Sequence, residues 1–200
     1  IYELLQNAED AGATEVAFEL TTHACNFEHN GSRHFDEGDI RGITGIFNSS
    51  KKDSPDKIGK FGVGFKSVFV YTETPVIYSK DYSFKILKLV LPQPVSPKDG
   101  LGEKTRFEIP FNNPKKNAKA AFSEIKAGLE QLSATTLLFL NNIGHIKWKV
   151  CAQEGAVRRV EHSATHVEVL KFVGAKELLS SHWLRFAAPV QNLNKFTAPV

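Results

Sequence analysis

Apolar residues at every second position recur along this chain, and a chain patterned that way must bury one face of a β-sheet. Val16, Phe18 and Leu20 share one face of residues 15–20, and residues 24–29 read as the partner strand, followed by an Asn30-Gly31 turn. Residues 75–79 and 82–91 read as a hairpin around Lys80-Asp81. Residues 105–111, 146–150 and 157–161 read as further strands, with 167–172 and 183–186 extending the sheet. Helical spacing interrupts this pattern. Ile1, Leu4, Leu5, Ala8 and Ala11 form one stripe that stops at Gly12. Residues 36–46 form a short helix that Asp36 can cap. An apolar helical pattern of Phe65, Val68 and Phe69 follows a glycine-rich segment. Ala118, Ala121, Phe122, Ile125, Leu129 and Leu132 form a last stripe, with Asn113 as its expected cap and Pro114 as its opening residue. Residues 47–57 and 92–104 read as loops. The order predicts an α+β two-layer sandwich, with helices packed on one face of a mixed, mostly antiparallel sheet, in a single domain over residues 1–200.

Composition narrows the function classes. Hydrophobic residues at 42% and charged residues at 24% of 200 exclude disorder, collagen and a disulfide mini-scaffold. Twenty-five Lys and Arg against 22 Asp and Glu leave +3, too little to argue for nucleic acid or an anionic membrane. No apolar run approaches the ~20 residues of a membrane helix. Cys25 and Cys151 have no metal-ligand spacing, which favours a reducing compartment such as the cytoplasm. The chain opens at Ile1 inside a helical pattern and contains no Met, so it is expected to be an N-terminally truncated piece of a longer protein.

Two segments carry chemistry. Glu3, Asn7 and Asp10 sit at i, i+4 and i+7 on one helix face, opposite Leu4, Leu5 and Ala8. An Asn carbonyl suits Mg²⁺, which takes oxygen ligands, and a Glu can orient and deprotonate a water. The same face also fits the wet side of an ordinary amphipathic helix. The second segment, Gly59-Lys60-Phe61-Gly62-Val63-Gly64-Phe65-Lys66-Ser67, runs into a helix. Glycines let backbone N–H groups approach an anion, and a helix start adds partial positive charge, so phosphate is the expected guest. It is not a P-loop, because Phe65 intrudes before Lys66-Ser67, and it lacks the last glycine of GxGxxG. Two phenylalanines argue against a mere flexible linker.

Together, ELLQNAEDAGA (residues 3–13) and KIGKFGVGFKS (residues 57–67) resemble the motifs of the Bergerat-fold (GHKL) ATPases, which include gyrase, the ninety-kilodalton heat-shock chaperones, histidine kinases and MutL. The glycine segment is most similar to the chaperone branch. The pair is similar to the N-terminal module of sacsin-type and NO VEIN-type proteins. The resemblance covers residues 1–111, the core nucleotide-binding motifs, and weakly residues 112–200, a helix and sheet extension. It implies an Mg²⁺-dependent ATP-binding domain with slow hydrolysis, driving conformational change in a larger chaperone-like or regulatory protein. Partners would be ATP and ADP, other domains of the parent and, with nucleotide bound, a second copy. By the same resemblance, Glu3 would activate the attacking water and Asn7 would ligate Mg²⁺. Asp10 would lie near the nucleotide. Gly59, Lys60, Phe61, Gly62, Val63, Gly64 and Phe65 would wrap the phosphates, residues 47–57 would belong to a lid, and Thr105 would support adenine. Lys60 and Lys66 read equally well as phosphate contacts or as solvated surface.

The sequence departs from the family in its second motif. Asp-x-Gly-x-Gly is replaced by His29-Asn30-Gly31-Ser32-Arg33, so the adenine-reading Asp is His29 and only Gly31 is kept. A neutral His keeps one acceptor nitrogen, and reading adenine through it would weaken binding below about pH 6.5. The other reading bonds His29 to backbone at a strand end. The degenerate motif also supports an alternative function, a non-catalytic nucleotide-sensing or scaffold module. His162 and His166 lie in a segment that alternates like a strand, where residues four apart are distant, so no metal site is expected there.

Overall fold

The computed structural model describes residues 1–45 and 64–186. In chain order these form α1 (Tyr2–Asp10), β1 (Glu15–Leu20), β2 (Ala24–His29), α2 (Glu37–Thr44) and a 3₁₀ helix (Phe65–Val70). Then come β3 (Val76–Ser79), β4 (Tyr82–Leu87), β5 (Leu91–Pro94), β6 (Thr105–Pro110), α3 (Ala118–Glu130) and α4 (Ala134–Leu138). The remaining strands are β7 (His145–Val150), β8 (Gln153–Glu161), β9 (His166–Val173) and β10 (Lys176–Leu184). Among the described residues all the strands join one sheet in the order β10-β9-β8-β7-β1-β2-β6-β3-β4-β5. Neighbours are antiparallel except β1 and β7, which run parallel. This is the expected α+β sandwich on a mixed sheet.

Alternation explains which face is covered. Val16, Phe18 and Leu20 of β1 are buried, as are Cys25 and Phe27 of β2 and Phe107 and Ile109 of β6. The register aligns Phe18 with Phe27 and Phe27 with Phe107, giving an aromatic row with ring separations of 4.7 and 5.9 Å. Phe65 of the 3₁₀ helix packs 5.8 Å from Phe107, and Phe35 packs 6.0 Å from it. Each fully buried ring contributes up to about 3 kcal/mol of transfer free energy, so this row anchors the 3₁₀ helix firmly. The opposite sheet face stays wet. Arg106 there donates to Glu28 and to Glu108, and Lys147 pairs with Glu15.

Several boundaries differ from expectation. Where 82–91 read as one strand and 92–104 as loop, the strand breaks after Leu87 and residues 91–94 form an edge strand, in which Pro92 and Pro94 are tolerated because the outer side needs no ladder donor. α3 begins at Ala118 under Asn117, whose Oδ1 accepts from the Ala120 N–H at 2.8 Å. Asn113 instead caps a separate turn at Lys115 and donates to the Phe69 carbonyl at 2.7 Å, pinning the end of the 3₁₀ helix. Nothing apolar lies between Pro114 and Asn117 to bury, so the helix waits for Ala118. β8 and β10 are longer than their apolar runs suggested, since β8 is bonded on both sides and β10 zips along β9.

Candidate functional site

α1 forms because Leu4, Leu5 and Ala8 face the core while Glu3 and Asp10 face solvent. Its far end is fixed by a residue that sequence reasoning missed. Glu9 is buried, and its carboxylate accepts from the N–H groups of Asn141 (2.7 Å), Asn142 (2.8 Å) and Ile143 (3.0 Å). Arg159 holds the carbonyls of Leu137, Leu140 and Asn141 just before them. The segment before β7 is thus gripped by a carboxylate and a guanidinium. A Glu beside the polar stripe gives no sequence signal, because its partners are backbone N–H groups 132 to 134 residues away.

Of the predicted pair of motifs, the described parts do meet. A β-carbon on Gly64 would stand 2.8 Å from the Glu3 carboxyl carbon, and nearer still to Oε2. Gly64 is in ordinary right-handed backbone (φ −66°, ψ −45°), so glycine is needed there for space and not for conformation. Phe65, beside it, is buried in the aromatic row, which sets where Gly64 stands. Lys66 donates to the Gly45 carbonyl at 3.0 Å, at the C-terminal end of α2. Gly59, Lys60, Phe61, Gly62 and Val63, together with residues 47–57, lie outside the described residues.

Asn7 and Ala11 form one wall of a small cavity whose other walls include His29, Phe35, Asp39 and Phe107. Its volume is about 10 Å³, room for one water and far short of the several hundred Å³ of a ligand pocket. Residues 46–63, which include most of the glycine segment, lie outside the described residues and contribute no wall to this cavity. The Nδ2 of Asn7 is buried and finds no hydrogen-bond partner among the described residues. That is a costly state for a polar atom.

His29 is also buried, and burial pushes its pKa down to about 4, with the charge of His34 adding to the effect. Its Nδ1 accepts from the Gly31 N–H at 3.1 Å. A neutral imidazole has one acceptor nitrogen, and the turn uses it. Of the two readings, bonding to backbone is the observed one. The loss of affinity expected near pH 6.5 rested on His29 reading the base, and here its acceptor nitrogen is held by the turn. Gly31 is required for space. A β-carbon on it would lie 2.7 Å from the Ala11 carbonyl and 2.9 Å from His29 Nδ1. Arg33 bonds Asp39 at 2.7 Å, within the Asp36–Asp39 capping box of α2.

Asp10 lies exposed and accepts from Gln6 Nε2 at 3.1 Å. Thr105 is fully buried opposite His29, with its hydroxyl 2.8 Å from that of Ser79, which accepts from the Phe35 N–H at 3.0 Å. The structure thus gathers Glu3 and Gly64 in one contact and Asn7 and His29 around one small cavity. Thr105 lies in the sheet next to His29, and Asp10 lies exposed at the end of α1.

Residues 1–88 match the family model of the Sacsin domain. The chain is 41% identical to human sacsin over 95 residues, covering 40% of this chain and 2% of sacsin. It is 34% identical to the Arabidopsis thaliana protein NO VEIN over 110 residues, covering 50% of this chain and 4% of that protein. The chain therefore spans only a few per cent of the length of these relatives. Among solved structures it is similar to the B-subunit of DNA gyrase from Myxococcus xanthus, with a TM-score of 0.51 and 13% identity, over 86% of this chain and 61% of that one. No described helix is long and apolar enough to cross a membrane. With the sheet order, the Glu3–Gly64 contact and these likenesses together, the chain has the Bergerat (GHKL) fold, and part of it is similar in sequence to sacsin and NO VEIN.

Proposed function

We propose that this chain is a nucleotide-binding module that grips Mg²⁺-ATP mainly by its phosphates and hydrolyses it slowly, as one part of a longer protein. The observation that carries this reading is the Glu3 carboxylate held against Gly64, at the start of the buried Phe65 turn. A carboxylate at that place has access to water and stands beside backbone able to approach an anion. Asn7 supports it. Its side-chain amide is buried and unsatisfied, and turning that amide offers either a carbonyl oxygen to Mg²⁺ or an N–H to a phosphate oxygen. Bound Mg²⁺ would supply the positive charge that offsets the triphosphate. Glu3 would orient the water and take its proton. Nucleotide binding in this position would bias the conformation of the parent protein, and pairing of two copies would be one form of that response.

His29 does not read the base in this proposal, since its acceptor is committed to Gly31. The closed cavity must also widen before a purine enters. Weak discrimination between bases follows. Calorimetry with Mg²⁺-ATP and Mg²⁺-GTP is expected to give affinities within about tenfold, that is within about 1.4 kcal/mol. A Glu3→Gln variant is expected to keep nucleotide while turnover falls roughly 10²–10⁴-fold. Unchanged turnover in that variant contradicts the role given to Glu3.

The closed cavity and the committed His29 favour a second reading, a scaffold that does not hydrolyse nucleotide. Absence of any nucleotide heat at millimolar concentration selects it.

A further inference from the structure

Three histidines and a glutamate that belong to no nucleotide motif converge on one face at the β8–β9–β10 end of the sheet. The chain does not run straight through residues 162–166. It turns back between β8 and β9, with the His162 N–H donating to the His166 carbonyl at 2.9 Å and the His166 N–H donating to Ser163 Oγ at 3.0 Å. The expectation that His162 and His166 are far apart is thereby corrected, and their rings lie 4.8 Å apart. His166 and Glu168 are two apart on β9 and so share a face, while Val167 and Val169 between and beyond them are buried. β10 runs antiparallel and sets His182 directly opposite Glu168. Cross-strand neighbours on one face are within side-chain reach.

The contacts are specific. His162 Nε2 lies 2.8 Å from Glu168 Oε2, and His182 Nε2 lies 3.7 Å from Glu168 Oε1. The donor atoms of His162, Glu168 and His182 all fall within 4.8 Å of one another. A tetrahedral ion with bonds of about 2.0–2.1 Å separates its ligand atoms by roughly 3.3 Å, so small side-chain rotations bring these three onto one centre. The supporting bonds are of the kind that orient ligands. His166 Nε2 meets His182 Nδ1 at 2.9 Å, which leaves Nε2 as the free nitrogen of His182. Ser180 Oγ donates to Glu168 Oε1 at 2.6 Å.

We propose that His162, Glu168 and His182 form a binding site for a divalent transition metal of the Zn²⁺ class, with His166 as a positioning residue that fixes the His182 ring. Two imidazoles and one carboxylate supply three protein ligands, and water completes the coordination. The site shares no residue with the Glu3–Asn7 face and stands or falls separately from nucleotide binding.

Zn²⁺ titration calorimetry on the untagged chain tests it. The expected result is saturable binding of one Zn²⁺ per chain. Affinity should fall at least 100-fold in His162→Ala and in His182→Ala, fall roughly 10–100-fold in His166→Ala, and stay unchanged in His23→Ala. Because strand variants can perturb the hairpin, imidazole NMR of the unaltered chain provides a second readout. Zn²⁺ should shift the His162 and His182 ring signals and leave His23 in place. Absence of 1:1 binding, affinity in the His162→Ala or His182→Ala chain equal to that of the unaltered chain, or shifts confined to other histidines would overturn the proposal.

Discussion

The Glu3 carboxylate occupies the space that a side chain on Gly64 would need, with its carboxyl carbon 2.8 Å from the position of that missing β-carbon. Glu3 opens α1, and Gly64 precedes a turn locked into the core by Phe65. The contact joins two buried anchors through two small polar surfaces.

Gly64→Ala separates a structural from a functional role for this contact. The backbone there is right-handed helical, and alanine is favoured over glycine in such backbone by up to about 1 kcal/mol. The obstructing group is the end of a flexible side chain, so it can move aside. Thermal unfolding is expected to shift by only a few degrees while ATP turnover falls at least tenfold. A large stability loss, or turnover left intact, runs against this account.

Glu9→Ala should behave in the opposite way. It removes the acceptor for three backbone N–H groups in a buried place. A loss on the order of 3 kcal/mol in urea unfolding is expected, since each stranded group costs about 1–3 kcal/mol and the effects do not simply add. Glu9→Gln, which keeps one acceptor oxygen, should lose less.

The pH dependence of stability follows from His29. Its pKa in the folded chain is lowered to about 4 by burial, while the unfolded value is near 6.5. Between those values the unfolded chain binds a proton that the folded chain refuses, so stability rises with pH. The contribution is complete above about pH 6.5 and is lost as pH falls toward 4, by up to roughly 3 kcal/mol. Unfolding curves at pH 7 and pH 4.5 should converge less steeply in a His29→Asn variant. Equal slopes in the two chains would show that His29 is not held neutral.

Much of this fold is legible from local pattern. The bounds of β1 and β2 and the Asp36 cap of α2 coincide with their alternation and capping signals, because the forces that set them act between near neighbours. What sequence could not supply was the partner of each polar group. Glu9 carries no signal in the sequence, and only the return of the chain at residues 141–143 gives it a purpose. His29 read equally as a base reader or as a strand-end residue bonded to backbone, and only the turn that sets the Gly31 N–H on Nδ1 decides between them. His162 and His166 looked distant because alternation on either side of a short turn reads as one strand. The Glu3–Asn7 stripe was visible from 3.6-residue spacing, yet the small cavity beside Asn7 is walled by Phe35 and Phe107, which come from distant parts of the chain.

The most direct measurement is calorimetric titration of ATP into the chain with and without Mg²⁺, repeated with Asn7→Ala. The account predicts saturable binding that requires Mg²⁺ and is weakened at least tenfold by Asn7→Ala. Binding that is the same with and without Mg²⁺ and indifferent to Asn7, or no binding at millimolar nucleotide, would contradict it.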